Sequence, residues 1–246
     1  MTVRFSKAIV VGGSSGIGEA LAKRLADEGA QVAVLGRRAE ELARVVQHNP
    51  AQLHAFVHDA RDFDDAAPLF ERVIQALGGL DTLVYAAGVL HPVAEGEYDF
   101  TNDREMVETN LLGAMAWMNL AAARFEAAGE GTLLGITSVA GERGRRANPA
   151  YCTTKAALNT FLEALRNRCS RSGVNVVTVK PGFVDTAMTR GLKGLFWLIS
   201  PDEAALGALS LARQGNSASG FVPFQWRYLM WVIRLIPSFI FRRLNV

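Results

Sequence analysis

The sequence predicts one α/β domain built on a doubly wound parallel sheet, with helices on both faces. Short apolar segments alternate along the chain with segments of helical periodicity, which is typical of βαβ units. The first apolar segment runs into a glycine-rich turn, as in Rossmann-type folds. The chain has 246 residues, of which 50% are hydrophobic and 20% charged. It can therefore bury one sizeable core, and an intrinsically disordered chain is excluded.

The predicted elements follow one another from strand to helix. Ile17, Leu21 and Leu25 recur at helical spacing, whereas the run 8–11 is short, apolar and ended by glycine, which indicates a buried strand. Further strands are predicted over 31–35, 53–57, 80–85, 132–137, 174–179 and 220–223. Helices are predicted over 17–28, 38–47, 63–77, 150–171 and 202–213, with one long helix or two abutting helices over 103–128. Ligands of such sheets bind beyond the carboxyl ends of the strands.

Charge and cysteine content exclude several classes of protein. The chain has 26 basic and 24 acidic residues, a net charge of +2, so overall charge predicts no nucleic-acid partner. Cys152 and Cys169 are too few for a disulfide framework and suit a reducing, cytoplasmic compartment. No secretory signal, no apolar run of about 18 residues that would span a membrane, and no pattern of metal ligands is found.

The turn after the first strand predicts a phosphate site. Glycines let the backbone approach a pyrophosphate closely, and the helix that begins near Ile17 offers free N–H groups and the positive end of its dipole. The alternative is a glycine-rich turn that binds nothing. The predicted binding residues are Gly12, Ser14, Ser15, Gly16, Ile17 and Gly18.

The residues after the second strand favour NADP(H), although NAD(H) stays open. A Rossmann-type site that selects NAD places an acid there to bind the ribose 2′-hydroxyl. Here Arg37 and Arg38 follow Gly36, and the next acid is Glu40. Because guanidinium groups bind phosphate through a planar fork, we expect Arg37 to be the main ligand of a 2′-phosphate and Arg38 to support it. Otherwise both are solvated arginines that begin a helix.

Three side chains predict proton chemistry at a carbonyl group. Tyr151 and Lys155 are four residues apart and share one helix face. A nearby ammonium favours the phenolate and so helps a tyrosine to exchange protons. Ser138 ends the fifth strand 13 residues before Tyr151, where its hydroxyl can hold a carbonyl oxygen beside the phenol. The alternatives are an amphipathic helix start and a capping serine.

With these motifs in this order, residues 7–215 resemble the short-chain dehydrogenase/reductase family. The glycine spacing is Gly-x3-Gly-x-Gly, and Tyr-x3-Lys follows a strand-end serine. The sequence departs from the family pattern at Val11, where a threonine is usual, and at Tyr85-Ala86, where two asparagines are usual. Polar support of the central sheet must therefore come from elsewhere.

The resemblance implies roles for further residues. Asn110 would stabilise the backbone of the site and a proton-relaying water, while Lys155 would hold the nicotinamide ribose. Asp59 would meet the adenine, or alternatively cap a helix. The other cofactor-binding residues implied, besides Tyr151 and Lys155 themselves, are Ala60, Ala86, Ala87, Gly88, Pro181, Val184 and Thr186. The family pattern also implies a homodimer or homotetramer built on the helices at 103–128 and 150–171.

The leading hypothesis is an NADPH-dependent reductase, or reversible dehydrogenase, of a ketone and secondary alcohol, with Tyr151 as general acid/base. A non-catalytic NADPH sensor is the alternative, and epimerase or dehydratase chemistry stays open. Candidate substrate-lining segments are 91–99, 141–148 and 187–200. Because the last is strongly apolar, we expect it to be a lid over a hydrophobic or lipid-borne small molecule. Arg143, Arg145 and Arg146 either meet an anionic substrate or form a solvated loop.

We expect residues 1–223 to form the Rossmann domain and residues 224–246 to be an extension. Residues 204–246 hold five arginines and no acid. Tryptophan and tyrosine lie among the aliphatic residues of 224–241, a mixture that suits a membrane interface, and Pro237 should break the helix. The extension is therefore either a basic anchor on the inner face of a membrane or a segment packed on this protein or on a second copy.

Overall fold

A computed structural model describes residues 3–94, 96–192 and 194–244. Positions 1, 2, 95, 193, 245 and 246 lie outside the described residues. They belong to the predicted segments 1–223, 91–99, 187–200 and 224–246. The strands are β1 Lys7–Val11, β2 Gln31–Gly36, β3 Leu53–Val57, β4 Thr82–Tyr85, β5 Gly131–Ile136, β6 Val174–Pro181 and β7 Ser219–Val222. The helices are α1 Gly16–Asp27, α2 Ala39–Val46, α3 Phe63–Leu77, α4 Phe100–Val107, α5 Gly113–Ala128, α6 Pro149–Arg168, α7 Pro201–Arg213, α8 Trp226–Leu235 and α9 Ser238–Phe241.

The seven strands form one parallel sheet in the order β3-β2-β1-β4-β5-β6-β7. Two buried clusters cover it, one against α3, α5 and α6 and the other against α1, α2 and α7. The strand order reverses between β1 and β4, which opens a crevice beyond the carboxyl ends of these strands. The predicted doubly wound fold is confirmed.

The predicted long helix is helical throughout but changes its winding part-way. α4 and α5 are joined by a π-helical turn, Glu108–Leu112, that includes Asn110. Such turns insert an extra residue into a helix and often mark functional sites. The segment explains why the sequence is compatible with both one helix and two abutting ones.

Residues beyond β7 pack on the same body. α8 buries Trp226 and Met230 against Val139, in a third cluster that includes Phe183 and Phe221. Pro237 precedes the short helix α9, so the helix is broken where the sequence predicts. In the described part of the chain, no helix combines the length and the hydrophobicity that crossing a bilayer requires.

Candidate active site

A cavity of about 350 Å³ lies at the crevice. It is lined by the turn after β1 and by the segments that follow β2, β3, β4, β5 and β6. Apart from Asn110, every predicted catalytic and cofactor-binding residue lines it, and Asn110 lies directly behind its wall. The lining residues among them are Gly12, Ser14, Ser15, Gly16, Ile17, Gly18, Arg37, Arg38, Asp59, Ala60, Ala86, Ala87, Gly88, Ser138, Tyr151, Lys155, Pro181, Val184 and Thr186.

The glycine turn is built for close backbone approach. Gly12 has a φ of 84°, and a Cβ there would lie 2.4 Å from the Ala87 nitrogen. A Cβ at Gly18 would lie 2.2 Å from the Gly12 carbonyl oxygen. Only glycine therefore lets the turn, α1 and the segment after β4 meet. Because α1 begins at Gly16, its free N–H groups open into the cavity, and a dinucleotide pyrophosphate fits this cradle.

The two arginines after β2 lie differently from the sequence-based expectation. The Arg38 guanidinium donates hydrogen bonds to the hydroxyls of Ser15 (2.9 Å) and Ser14 (3.3 Å). Arg37 is instead 3.5 Å from Glu105 and 4.0 Å from Asp59. Successive residues of extended backbone point to opposite sides, and Arg38 has extended dihedral angles. Arg38, rather than Arg37, therefore adjoins the phosphate turn.

Asp59 follows β3 and lines the end of the cavity nearest to that strand. Its carboxylate accepts hydrogen bonds from the Arg61 side chain, with Nη2 at 2.7 Å, which hold the pKa of Asp59 below its usual value. The alternative expectation, a helix cap, is wrong because Asp62 caps α3 instead by accepting from the Asp65 nitrogen. Asp59 thus remains directed to the cavity.

Three predicted catalytic residues, Ser138, Tyr151 and Lys155, line the part of the cavity that follows β5. Ser138 follows β5 and accepts a hydrogen bond from the Ala140 nitrogen. Tyr151 and Lys155 lie on the first turns of α6, with the ammonium 5.7 Å from the phenol ring centroid. Burial raises the pKa of Tyr151 to about 12, and a hydrogen bond with Ser138 opposes the increase. The net change in the pKa is upward, which is opposite to the decrease expected from the neighbouring Lys155.

Lys155 is the buried cation of the site. Its Nζ donates to the Ile136 carbonyl at 3.1 Å, and a Cβ at Gly88 would lie 3.5 Å from it. Burial lowers the pKa of Lys155 to about 8. The ammonium thus stands between the segments that follow β4 and β5, on the same side of α6 as Tyr151.

Asn110 fixes the segment after β4 to α6. Its amide exchanges two hydrogen bonds with the Val89 backbone, at 2.7 and 2.9 Å, and also donates to the Thr154 hydroxyl at 3.2 Å. Beside it, the hydroxyl of Tyr85 donates to the Thr109 carbonyl. Tyr85 provides the polar support that the absent asparagines leave open, and sequence reasoning did not find it because the contact joins two distant elements.

The segment after β6 forms the wall that faces the glycine turn. A Cβ at Gly16 would lie 3.2 Å from the Thr186 methyl group. The Thr186 nitrogen donates to the Thr189 hydroxyl, which donates in turn to the Val184 carbonyl. The Asp185 nitrogen donates to the Ile199 carbonyl. This bond joins the backbone just before the predicted lid, 187–200, to the backbone at its end. Met188 and Leu192, from the predicted lining segment 187–200, form an apolar wall of the cavity together with Phe183.

The extension supports the loop that follows Ser138. A Cβ at Gly182 would lie 1.8 Å from the Trp226 indole nitrogen, so α8 rests directly on the backbone after β6. Glu142 pairs with Lys180 at 2.7 Å and with Arg234 of α8 at 3.4 Å. The loop at 139–146 is thus held between the cavity and α8.

Comparisons with known proteins agree with this geometry. Residues 6–194 match the family model for short chain dehydrogenases. The chain belongs to the short-chain dehydrogenase/reductase family. It is therefore an oxidoreductase that acts on the alcohol/carbonyl pair, which favours an enzyme over a sensor.

Individual relatives cover nearly the whole chain. An uncharacterized oxidoreductase of Mycobacterium tuberculosis strain H37Rv is 32% identical over 240 residues, 96% of each chain. This match necessarily includes part of the extension. A solved short chain dehydrogenase/reductase family protein has a TM-score of 0.81 at 27% identity and covers 90% of this chain and 97% of its own. The structure described as ElxO with NADP bound has a TM-score of 0.78 at 22% identity and covers 90% and 96%, which shows the shared fold.

Proposed function

We propose that this short-chain dehydrogenase/reductase is an NADPH-dependent reductase of ketones, with Tyr151 as the proton donor. The observation that carries the proposal is one cavity that joins a glycine phosphate turn, an arginine beside it, and Ser138, Tyr151 and Lys155. Among the described residues, no acid pairs with Arg38, whereas Asp59 and Glu105 face Arg37. It is the residue we assign to a 2′-phosphate, which supports NADPH over NADH.

Each residue of the site has a separate role in the proposed ketone reduction. The Ser138 hydroxyl hydrogen-bonds the substrate oxygen, which places it against the phenol of Tyr151. A bound reduced nicotinamide would supply the hydride. As negative charge develops on the oxygen, Tyr151 donates its proton, and the ketone becomes a secondary alcohol. Lys155 stabilises the resulting phenolate through its positive charge, and Asn110 keeps the backbone between β4 and α6 in place.

Consumption of NADPH, followed at its absorbance band, tests this function directly. The panel is a set of aliphatic and aromatic ketones of increasing chain length, each assayed with NADPH and with NADH. We expect turnover with NADPH that increases with the apolar size of the ketone. Epimerase or dehydratase chemistry would instead change the substrate with no net consumption of NADPH, and that result contradicts the proposal.

We also propose that the substrate is hydrophobic and that α8 and α9 lie on an anionic membrane. The outer tail face is exposed and apolar, and consists of Phe224, Tyr228, Trp231, Val232, Leu235, Phe239 and Ile240. Arg227, Arg234, Arg242 and Arg243 are exposed beside it. On the inner side of α8, Trp226 stacks with Phe196 of the predicted lid at 5.1 Å, so the extension contacts the segment from which Met188 and Leu192 line the cavity. Apolar area flanked by arginine is the chemistry of an interfacial anchor.

Cosedimentation with vesicles of phosphatidylglycerol and phosphatidylcholine at low salt tests the anchor. Trp231→Glu combined with Leu235→Glu should leave the protein in the supernatant, because both side chains are exposed and their change spares the core. Val57→Glu, an exposed apolar residue on β3, is the matched control and should still pellet. If wild type does not pellet, or all variants pellet alike, the tail face does not bind membrane.

We also propose that the protein self-associates through α5 and α6. Leu112, before α5, is an exposed apolar side chain, and Leu120 and Phe161 are only partly buried. Burial against a second copy would cover these side chains. Light scattering during size-exclusion chromatography should give a dimer or tetramer, and Phe161→Arg should reduce it. A monomeric wild type would contradict this proposal.

A further inference from the structure

The loop at 141–148 contains three arginines, and two of them are occupied by the extension. Arg143 donates to the Ile236 carbonyl at 2.6 Å, and its guanidinium lies 3.9 Å from the ring centroid of Phe241. Arg146 donates to the Arg242 carbonyl at 3.1 Å. These two side chains therefore point away from the cavity and fix α8 and α9.

Arg145 differs from both neighbours. Its partly buried side chain lines the cavity together with Asn148 and Tyr151. Among residues 3–94, 96–192 and 194–244, none forms a hydrogen bond or ion pair with its guanidinium group. Its positive charge is close enough to Tyr151 to act against the increase in the pKa of the phenol. Within the described part of the chain the Arg145 guanidinium group therefore has no partner, and it is available to a ligand bound beside Tyr151.

The charge of this end of the cavity favours an anion. Lys155 and Arg145 are its cations. Among the described lining residues, the only carboxylate is Asp59, which lies at the far end and is paired with Arg61. Uncharged side chains form the rest of this part of the cavity, and its apolar members are Val89, Leu90, Val139, Phe183, Met188 and Leu192. A ligand that satisfies both features has an anionic group near its carbonyl and an apolar remainder.

We propose that Arg145 is a specificity-determining residue that binds an anionic oxygen group, a carboxylate or a phosphate ester, on the carbonyl substrate. The proposal rests on the proposed reductase function and narrows its substrate to amphipathic oxo acids and their phosphate analogues. The guanidinium fork donates two parallel hydrogen bonds, in one plane, to two oxygens of such a group. In the reaction the carbonyl carbon gains the hydride and its oxygen gains the Tyr151 proton, while the anionic group is unchanged.

The first experiment measures binding and does not depend on turnover. Titration calorimetry of the protein saturated with NADP⁺ compares octanoate, octyl phosphate and octan-1-ol. Wild type should bind at least one anion roughly tenfold to a hundredfold more tightly than the alcohol, as expected for a charge-assisted contact. Arg145→Gln should lose this difference, Arg145→Lys should keep part of it, and Arg168→Gln, an exposed arginine at the end of α6, should keep all of it. The anion that shows the effect identifies the group.

The second experiment compares kcat/KM for a medium-chain oxo acid and its methyl ester. Arg145→Gln should lower the value for the acid roughly tenfold or more beyond any change for the ester, which has no anionic group for the arginine to bind. Equal binding of anion and alcohol by wild type, or equal losses for acid and ester, overturns the role of Arg145. Arg145-dependent anion binding without reduction of any ketone supports this role and overturns the reductase function instead.

Discussion

The hydroxyl of Tyr85, at the end of β4, donates a hydrogen bond of 2.5 Å to the carbonyl oxygen of Thr109. Thr109 lies in the π-helical turn, directly before Asn110. Gly113 makes room for the contact, since a Cβ there would lie 2.4 Å from the Tyr85 hydroxyl oxygen. A buried phenol thus holds the turn that presents Asn110 to the segment after β4.

Tyr85→Phe should weaken both the fold and the site. It leaves the Thr109 carbonyl without this donor, at a cost of about 1–3 kcal/mol in the free energy of unfolding, and it should lower kcat more than it raises the KM for NADPH. Urea unfolding and steady-state kinetics measure the two effects. Tyr98→Phe is the matched control, because Tyr98 is 94% exposed. Equal behaviour of the two variants would show that Tyr85 does not support the site.

Tyr151→Phe should reduce kcat by about a hundredfold or more, since general acid catalysis contributes about 10²–10⁴. NADPH affinity, measured by fluorescence titration, should change little because only one hydroxyl is removed. A variant that keeps more than about a tenth of the wild-type rate would contradict the assignment of the proton donor.

Arg38→Gln should reduce the preference for NADPH over NADH roughly tenfold to a hundredfold, through loss of a charge-assisted phosphate contact. Arg37→Gln is the paired variant, and we expect a smaller effect because its side chain faces Asp59 and Glu105. The ratio of kcat/KM values for the two cofactors measures this. The reverse order of effects would restore Arg37 as the main phosphate ligand.

Lys155 should make stability depend on pH between about 8 and 10. Its pKa is about 8 in the fold and about 10.4 in an unfolded chain. Between these values the unfolded state binds more protons, so the stability of wild type rises with pH there. Relative to Lys155→Met, wild type should gain up to about 3 kcal/mol between pH 7 and pH 10. Urea unfolding of both proteins at the two pH values measures it, and parallel curves would contradict the shift.

Trp226→Ala should cost about 3–5 kcal/mol of unfolding free energy, as expected for a large core residue. Trp226 is 1% exposed against Val139 and Gly182, whereas Trp231, on the same helix, is 65% exposed. Trp231→Ala should therefore change stability by less than about 0.5 kcal/mol. Similar losses for the two variants, measured by thermal or urea unfolding, would show that α8 is not part of the core.

The sheet and the main motifs could be predicted because each depends on local pattern. The glycine turn, the strand-end serine and the pair Tyr151 and Lys155 lie at strand ends and helix starts, and parallel strands bring all their carboxyl ends to one edge. The family resemblance added Asn110, whose partners at Val89 and Thr154 only the structure reveals.

Contacts between distant segments could not be predicted in the same way. The opposite directions of Arg37 and Arg38 depend on the backbone at the start of α2 and on acids at Asp59 and Glu105. The separate roles of Arg143 and Arg145 depend on where α8 ends. None of these pairings leaves a spacing or composition signal in one sequence.

Because Trp226 and Met230 cover Val139 and the backbone after β6, the order of synthesis affects the active site. The sheet and the glycine turn are complete once β7 has left the ribosome, whereas the loop after Ser138 stays uncovered until α8 emerges. A nascent chain at that stage exposes apolar surface, as folding intermediates do. Ribosome stalling or proteolysis just before Trp226 would therefore yield a species that still holds the dinucleotide cradle but is prone to aggregate and slow to turn over.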